Sequence, residues 1–343
     1  MRCIFCTNER PPSLEHVFPL AIGGHITTDR LCKECNSTLG SRVDAALSDF
    51  LPIRVRRAEL GLAGNAPVPP GRFELLTGDV EIVGEPGGRL RVTYDEAAMQ
   101  LDLHRLYQAS DVVTPDGKKV RQITIDARDK DQLPVIIQRE RKRHGLPPLS
   151  SEELAIEASN YTTNTVENPT VHKNVSASFA YLRHAMFKIA YELAFLWLGE
   201  AYLDDPLAVE LRTAICKSDI ASTDGLPGYI GEASECEAFT KTWIPHQAHH
   251  LAYSHVTANH VMIAIRIFDL YAACVPVSKE ADRYFGSSAH PSELRFLALD
   301  AVRGTKIETT LAEETHRMVT MMLASGTFPP PAPDPMAAPD RRP

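Results

Sequence analysis

Four cysteines near the start of the chain fall in two pairs, Cys3-x-x-Cys6 and Cys32-x-x-Cys35. That spacing puts two thiolates on each of two tight knuckles, the donor set of a tetrahedral structural zinc ion. Between the pairs stands Glu15-His16-Val17-Phe18-Pro19, and Asn36 follows the second pair directly. A carboxylate, an imidazole and an amide can hold a harder ion and move a proton. Imidazole titrates near neutrality, which suits a general base acting on water. Neighbours on a strand face opposite sides, so Glu15 and His16 can act from different directions. The loop between the pairs, residues 7 to 31, is longer than a plain zinc ribbon needs. The plainer reading is a stapled ribbon with a long loop, in which the zinc is structural and nothing is cut.

Taken together, Cys3, Cys6, Glu15, His16, Val17, Pro19, Gly23, Gly24, Cys32, Cys35, Asn36 and Gly40 resemble the HNH endonuclease superfamily. The likeness is to the branch with C-x-x-C, then E-H-[VI]-x-P and G-G, then C-x-x-C-N-x-x-x-G. The pair Val43-Asp44 also looks like that branch. The resemblance covers residues 1 to about 50 of 343. It implies a ββα-metal, treble-clef-like fold and hydrolysis of phosphodiester bonds. It implies His16 as the general base, and Glu15 and Asn36 as ligands of a catalytic divalent ion, Mg²⁺ or Mn²⁺. Cys3, Cys6, Cys32 and Cys35 would hold structural Zn²⁺. DNA is the implied substrate, with RNA not excluded, and the implied products carry 5′-phosphate and 3′-hydroxyl ends. A lone HNH site cuts one strand, so a duplex break would call for a homodimer or two nicks.

There is one departure from the pattern. The middle asparagine of HNH, which steadies the base-bearing loop, is absent. Thr27 stands there, with His25, Thr28 and Asp29 nearby. Either Thr27 or Asp29 takes the bracing role, or the brace is lost. Asp44 is either a group behind the ligands or a surface acid, and His25 reads as a turn residue. The rival reading is a non-catalytic zinc-knuckle module that binds nucleic acid.

The rest of the chain must position this set. The expected class is α+β: a small zinc-stapled unit over residues 1–50, a linker over 51–72, and a larger mixed domain over 73–325. The last of these would engage substrate or regulate cutting. A Pro-rich tail over 326–343 is expected to be disordered. Leu39, Val43 and Leu47 make an i, i+4, i+8 stripe on a helix capped by Asn36 or Ser37. Short β-like runs occupy Val80–Val83, Leu90–Tyr94 and Val120–Ile125, and a helix with a basic end covers residues 129–144. Another helix starts at Ser150 or Ser151. The strongest helical period runs from Ser178 to Tyr202, with Leu182, Met186, Ile189, Leu193 and Trp197 on one face and Lys188 off it. Val256 to Val277 reads as one or two buried strands, and residues 311–324 as a short helix.

Net charge is −8, so the whole molecule does not coat a polyanion. A local basic surface is available instead. Nine Lys or Arg against four acids lie between Lys118 and His144, and Arg54, Arg56 and Arg57 lie upstream. The histidines at 246, 249, 250, 255 and 260 read as strand or loop packing rather than a second metal site. Cys216, Cys236 and Cys274 are expected to be reduced and buried. The start of the chain does not read as a signal peptide. The most apolar stretch, Ile189 to Leu198, is too short to span a bilayer, which takes about 20 residues. Together these readings give a cytoplasmic protein without a membrane partner.

Overall fold

The computed structural model describes residues 1–326, apart from 72, 74–76, 96, 175–177, 237–246 and 287–288. His246 and the Pro-rich tail from residue 327 therefore lie outside the described residues. Two compact units emerge: residues 1–70 together with 177–343, and residues 71–176.

In the first unit, strand β1 (Pro12–His16) pairs antiparallel with β2 (Thr27–Cys32). Helix α1 (Lys33–Leu39) follows, then a π-helical turn over Gly40–Asp44, then α2 (Ala45–Asp49) and α3 (Leu51–Leu60). This is the expected ββα order, but α1 starts earlier than an Asn36 or Ser37 cap. Its N-cap is Cys32, so the second knuckle is itself the first turn of the helix. Leu39, Val43 and Leu47 are buried, as their spacing requires. In an unbroken α-helix such positions drift by about 40° per step. The wide π turn takes up the drift and swings Asp44 inward.

The linker expected over 51–72 is helical in its first half. Pro52 sits in the first turn of α3, where it costs no hydrogen bond, and Gly61 closes the helix at φ +69°. Two of the three arginines of α3, Arg56 and Arg57, are not free to track phosphates. Arg57 is buried and donates to the carbonyls of Ala21 (2.7 Å) and Ser48 (3.0 Å). Arg56 pairs with Glu59 at 2.8 Å and with Asp269.

The second unit holds β3 (Gly78–Ile82), β4 (Arg89–Asp95), β5 (Gln100–Arg105), the hairpin β6 (Gln108–Val113) and β7 (Lys119–Thr124), helices α4 (Leu133–Arg143) and α5 (Ser151–Ser159), and β8 (Val171–His172). The larger sheet has the order β5-β4-β3-β8 around a small core of Val80, Leu90 and Val92. Ser150 and Glu153 close a capping box at the start of α5. Part of the basic stretch is neutralised within the unit. Arg121 bridges Asp111 and Glu140, Arg128 bridges Asp102 and Asp126, and Arg143 returns to Glu140.

The first unit resumes with α6 (Phe179–Leu198) and α7 (Pro206–Cys216). Then come β9 (Tyr229–Glu232), β10 (His249–Thr257), β11 (His260–Ile267), β12 (Tyr271–Ser278), α8 (Asp282–Phe285), β13 (Arg295–Asp300), β14 (Lys306–Thr310) and α9 (Leu311–Ser325). The six strands form one antiparallel sheet in the order β14-β13-β10-β11-β12-β9. Helix α6 is buried almost all round from Leu182 to Phe195. A helix apolar on every side belongs inside a fold, and α6 packs between the sheet and the amino-terminal helices.

One core runs through the whole first unit, from Cys3 and Phe18 through α6 and α7 to Ala301. The zinc segment is thus part of the same body as α6, α7 and the six-stranded sheet, and residues 73–325 are not one body. Gly23 and Gly24 show how close the join is. Gly23 has φ +82°, and a Cβ there would lie 2.4 Å from the carbonyl oxygen of Ala301. A Cβ on Gly24 would strike the carbonyl of Phe18. His250 on β10 completes the join, donating Nε2–H to the Ile22 carbonyl at 2.7 Å while its Nδ1 accepts from the Phe268 amide. Burial lowers its pKa to about 4, so it stays neutral, and its ring stacks on Phe18. Cys216 departs from expectation: it ends α7 at the surface, while Cys274 is partly buried.

Candidate active site

The four cysteines of the paired knuckles converge. Their sulfurs all lie within 4.8 Å of one another, and Cys6 Sγ stands 3.9 Å from Cys32 Sγ. A tetrahedral zinc with bonds of about 2.3 Å spaces its sulfurs about 3.8 Å apart. The Cys32 amide donates to Cys3 Sγ at 3.3 Å, which steadies a thiolate. Burial, with the neighbouring sulfurs, pushes the Cys35 thiol up, a conflict that a cation at the centre resolves. The donor set, spacing and electrostatics all fit zinc. Among the described residues this is the one cluster of metal-ligating side chains.

The frame sorts the expected catalytic residues onto two faces of β1. Outward lie Leu14, exposed, and His16, half-buried. Asn36 reaches β1 from α1: its Nδ2 donates to the Leu14 carbonyl at 2.7 Å and to Ser13 Oγ at 3.1 Å. That orientation leaves Oδ1 as the ligand-capable atom. Thr27 stands directly across the ladder from His16 and is exposed, as is Asp29. A cleft of about 560 Å³ runs from β2 to the end of α6, lined among others by Leu14, Thr27, Asp29, Arg30, Phe195 and Glu200. His25 is exposed beside Gly304, in the irregular stretch just before β2 rather than in a turn.

Glu15 faces the other way. It is buried, and its Oε1 accepts from Lys188 Nζ of α6 at 2.5 Å. The same ammonium is 3.1 Å from Asp44 Oδ1 and 3.2 Å from Glu192 Oε1. Motif spacing alone does not single out Lys188 and Glu192, which stand four residues apart on α6. A signal for them exists nonetheless, because two opposite charges one turn apart inside the most apolar stretch of a chain must satisfy each other in the interior. Asp44 is therefore not a surface acid: it stands behind Glu15, sharing the Lys188 ammonium with it.

Three carboxylates around one ammonium cannot all be ionised cheaply. Desolvation raises Asp44 to about 6, with Glu15 adding to the rise and Lys188 opposing it. Desolvation also raises Glu192 well above its ordinary range. The sign for stability comes from linkage. The folded chain holds the Asp44 proton more tightly than the unfolded chain, whose ordinary value is 3.8. Stability from this group is present below about pH 4 and lost as pH rises to about 6. Unfolding by urea should show it. Relative to Asp44→Asn, the wild type should lose about 1.4 kcal/mol per pH unit across that window and nothing further above it. A difference that stays constant from pH 4 to 7 would remove Asp44 from the titration.

Residues 3–51 match the family model described as HNH endonuclease. The likeness is confined to the amino-terminal segment. No curated protein and no solved structure matches the chain. The HNH segment ends within the first residues of α3, so the family match stops where the chain enters the connection to the second unit. Lys188 and the six-stranded sheet lie outside it. No helix among the described residues is long and apolar enough to cross a membrane.

Proposed function

We propose that the chain is an endonuclease that hydrolyses phosphodiester bonds of DNA, with His16 as the general base. The observation that carries this is the cysteine-framed hairpin matched by the HNH model, which bears His16 on β1 and ties Asn36 to the same strand at Ser13 and Leu14. The imidazole takes a proton from water, the water oxygen attacks phosphorus, and the bond from phosphorus to the 3′ oxygen breaks. The 5′-phosphate and 3′-hydroxyl ends follow from the family's chemistry. The cleft along β2 is lined by Thr27, the residue across the ladder from His16, and offers a place for the substrate strand. The family's divalent ion, Mg²⁺ or Mn²⁺, would offset charge developing on the phosphorus centre. Asn36 Oδ1 suits such an ion. Glu15, turned onto Lys188, does not complete a two-ligand site with it in this arrangement.

Metal-dependent cleavage of plasmid DNA tests the reading. His16→Ala should cut at least about 100-fold more slowly, the usual contribution of a general base, with zinc content and folding unchanged. Folded, zinc-loaded wild type that cuts neither DNA nor RNA with Mg²⁺ or Mn²⁺ would sink it. That result would favour a zinc-knuckle binding module, which the inward turn of Glu15 also suits. Double-strand breaks by this one-strand site would require two copies of the chain or two successive nicks.

A further inference from the structure

We propose that Lys188 is a positioning residue for the nuclease site, and that Glu15 is the strut it acts through rather than a ligand of the catalytic ion. The proposal rests on the nuclease reading above and says how that site is held.

The geometry is that of a filled cation site. The Lys188 ammonium is fully buried, and its contacts at 2.5, 3.1 and 3.2 Å come from Glu15 on β1, Asp44 on the π turn and Glu192 on its own helix. An ammonium has three donors and no acceptor, and it meets three carboxylates here. Any metal ion approaching Glu15 from within would have to displace a tethered charge. Approaching from the His16 side, it would find the carboxylate pointing away.

The strut acts on the right segment. His16 follows Glu15, so a shift of one moves the other. The β1–β2 pairing is irregular between Ser13 and Glu15, so the ladder alone fixes this segment weakly. Two side chains from different helices compensate. Asn36 of α1 holds Ser13 and Leu14, and Lys188 of α6 holds Glu15. A general base must sit within about 0.5 Å of its productive position. Helix α6 carries the inner hold and belongs to the core of the sheet. Residues far outside the family match thus complete the site.

The test compares full-length, zinc-loaded wild type, Glu15→Gln, Lys188→Met and the double variant. Two readouts need no catalysis: Mn²⁺ affinity by electron paramagnetic resonance, and the His16 imidazole resonances, assigned by their absence in His16→Ala. Mn²⁺ affinity should stay within about twofold in all four proteins, and the His16 signals should shift in both single variants. The double variant should move them no further than the larger single, as expected for one coupled unit. Cleavage should fall roughly 10- to 100-fold in kcat, with KM and half-saturating Mn²⁺ unchanged, the cost of misplacing a group by about an ångström. A loss of Mn²⁺ affinity of about tenfold or more in Glu15→Gln, absent in Lys188→Met, would make Glu15 a ligand and overturn the proposal. Unmoved His16 signals in both single variants would overturn it too, and they decide the matter where Mn²⁺ binding is too weak to measure. If Lys188→Met does not fold, Glu15→Gln gives both readouts alone, since the amide fills the same space and removes the charge that the ammonium holds. A wild type that cuts nothing defeats the nuclease reading, yet leaves these two readouts to judge the strut.

Discussion

Residues 1–70 expressed alone should fail to fold, with or without zinc. The segment contains the HNH match, both knuckles, His16 and Asn36, so a modular nuclease would survive the cut. This one should not. Val17, Phe18, Ile22, Leu31, Leu39, Val43 and Leu47 are buried, and they share one core with α6, α7 and the sheet. Each large apolar side chain returned to water costs about 1.5–3 kcal/mol. Tyr191 also withdraws the hydrogen bond it gives the Ile4 carbonyl at 2.6 Å, and His250 the one it gives Ile22 at 2.7 Å. Glu15 would lose Lys188, and stripping one partner from a buried ion pair costs about 3–5 kcal/mol. Zinc can close the knuckles but replaces none of this. The amide NMR spectrum of the zinc-supplied fragment should be poorly dispersed and its thermal transition absent. A well-dispersed fragment that cuts DNA at the rate of the whole chain would show that the shared core is dispensable.

Legibility in the sequence followed the range of the forces involved. Zinc knuckles are local, so Cys3, Cys6, Cys32 and Cys35 announce themselves by spacing. Helix α6 is legible because its period is strong and long. Leu39, Val43 and Leu47 are legible as a stripe, while the π turn beneath them is not, since nothing local marks it. Val256 to Val277 belongs to three strands rather than one or two. Its two turns place Ala258 and Phe268 at φ +52° and +53°, where Gly or Asn would have been the readable sign. Helix α7 begins at Asp205-Pro206, with Asp205 accepting from the Leu207 amide at 2.9 Å; an acid cap before a first-turn proline is a readable start. The fate of Glu15 is beyond reach from the motif alone. Strand alternation says that Glu15 and His16 point apart. It does not say that the inner side would be closed by an ammonium 173 residues away. The same long-range pairing takes Arg56 and Arg57 out of the expected basic surface, because both find partners inside the fold.

Stripping the zinc should unfold the amino-terminal hairpin and destabilise the whole first unit. The native chain should carry one zinc, released stoichiometrically to a colorimetric chelator when the thiols are blocked. Cys3→Ser should show the largest loss among single ligand changes. Cys3 is fully buried and accepts the Cys32 amide, so an oxygen there loses both the soft donor and that bond. Ligands must be deprotonated, so acid should release the metal before it unfolds the rest of the chain. Structural zinc in small domains supplies about 10–16 kcal/mol of binding energy at neutral pH. Much of it here goes into closing the β1–β2 loop and starting α1 at Cys32. If even about 5 kcal/mol of that stabilises the unit, the thermal midpoint should fall by roughly 10 °C or more, at about 2–4 °C per kcal/mol for a body of this size. Because Glu15, Asp44 and Lys188 lie in the same unit, the loss should spread: hydrogen exchange at α6 should quicken along with that at β1. A metal-free chain with an unchanged midpoint and unchanged exchange at α6 would mean that the knuckles are an ornament on a core that stands without them.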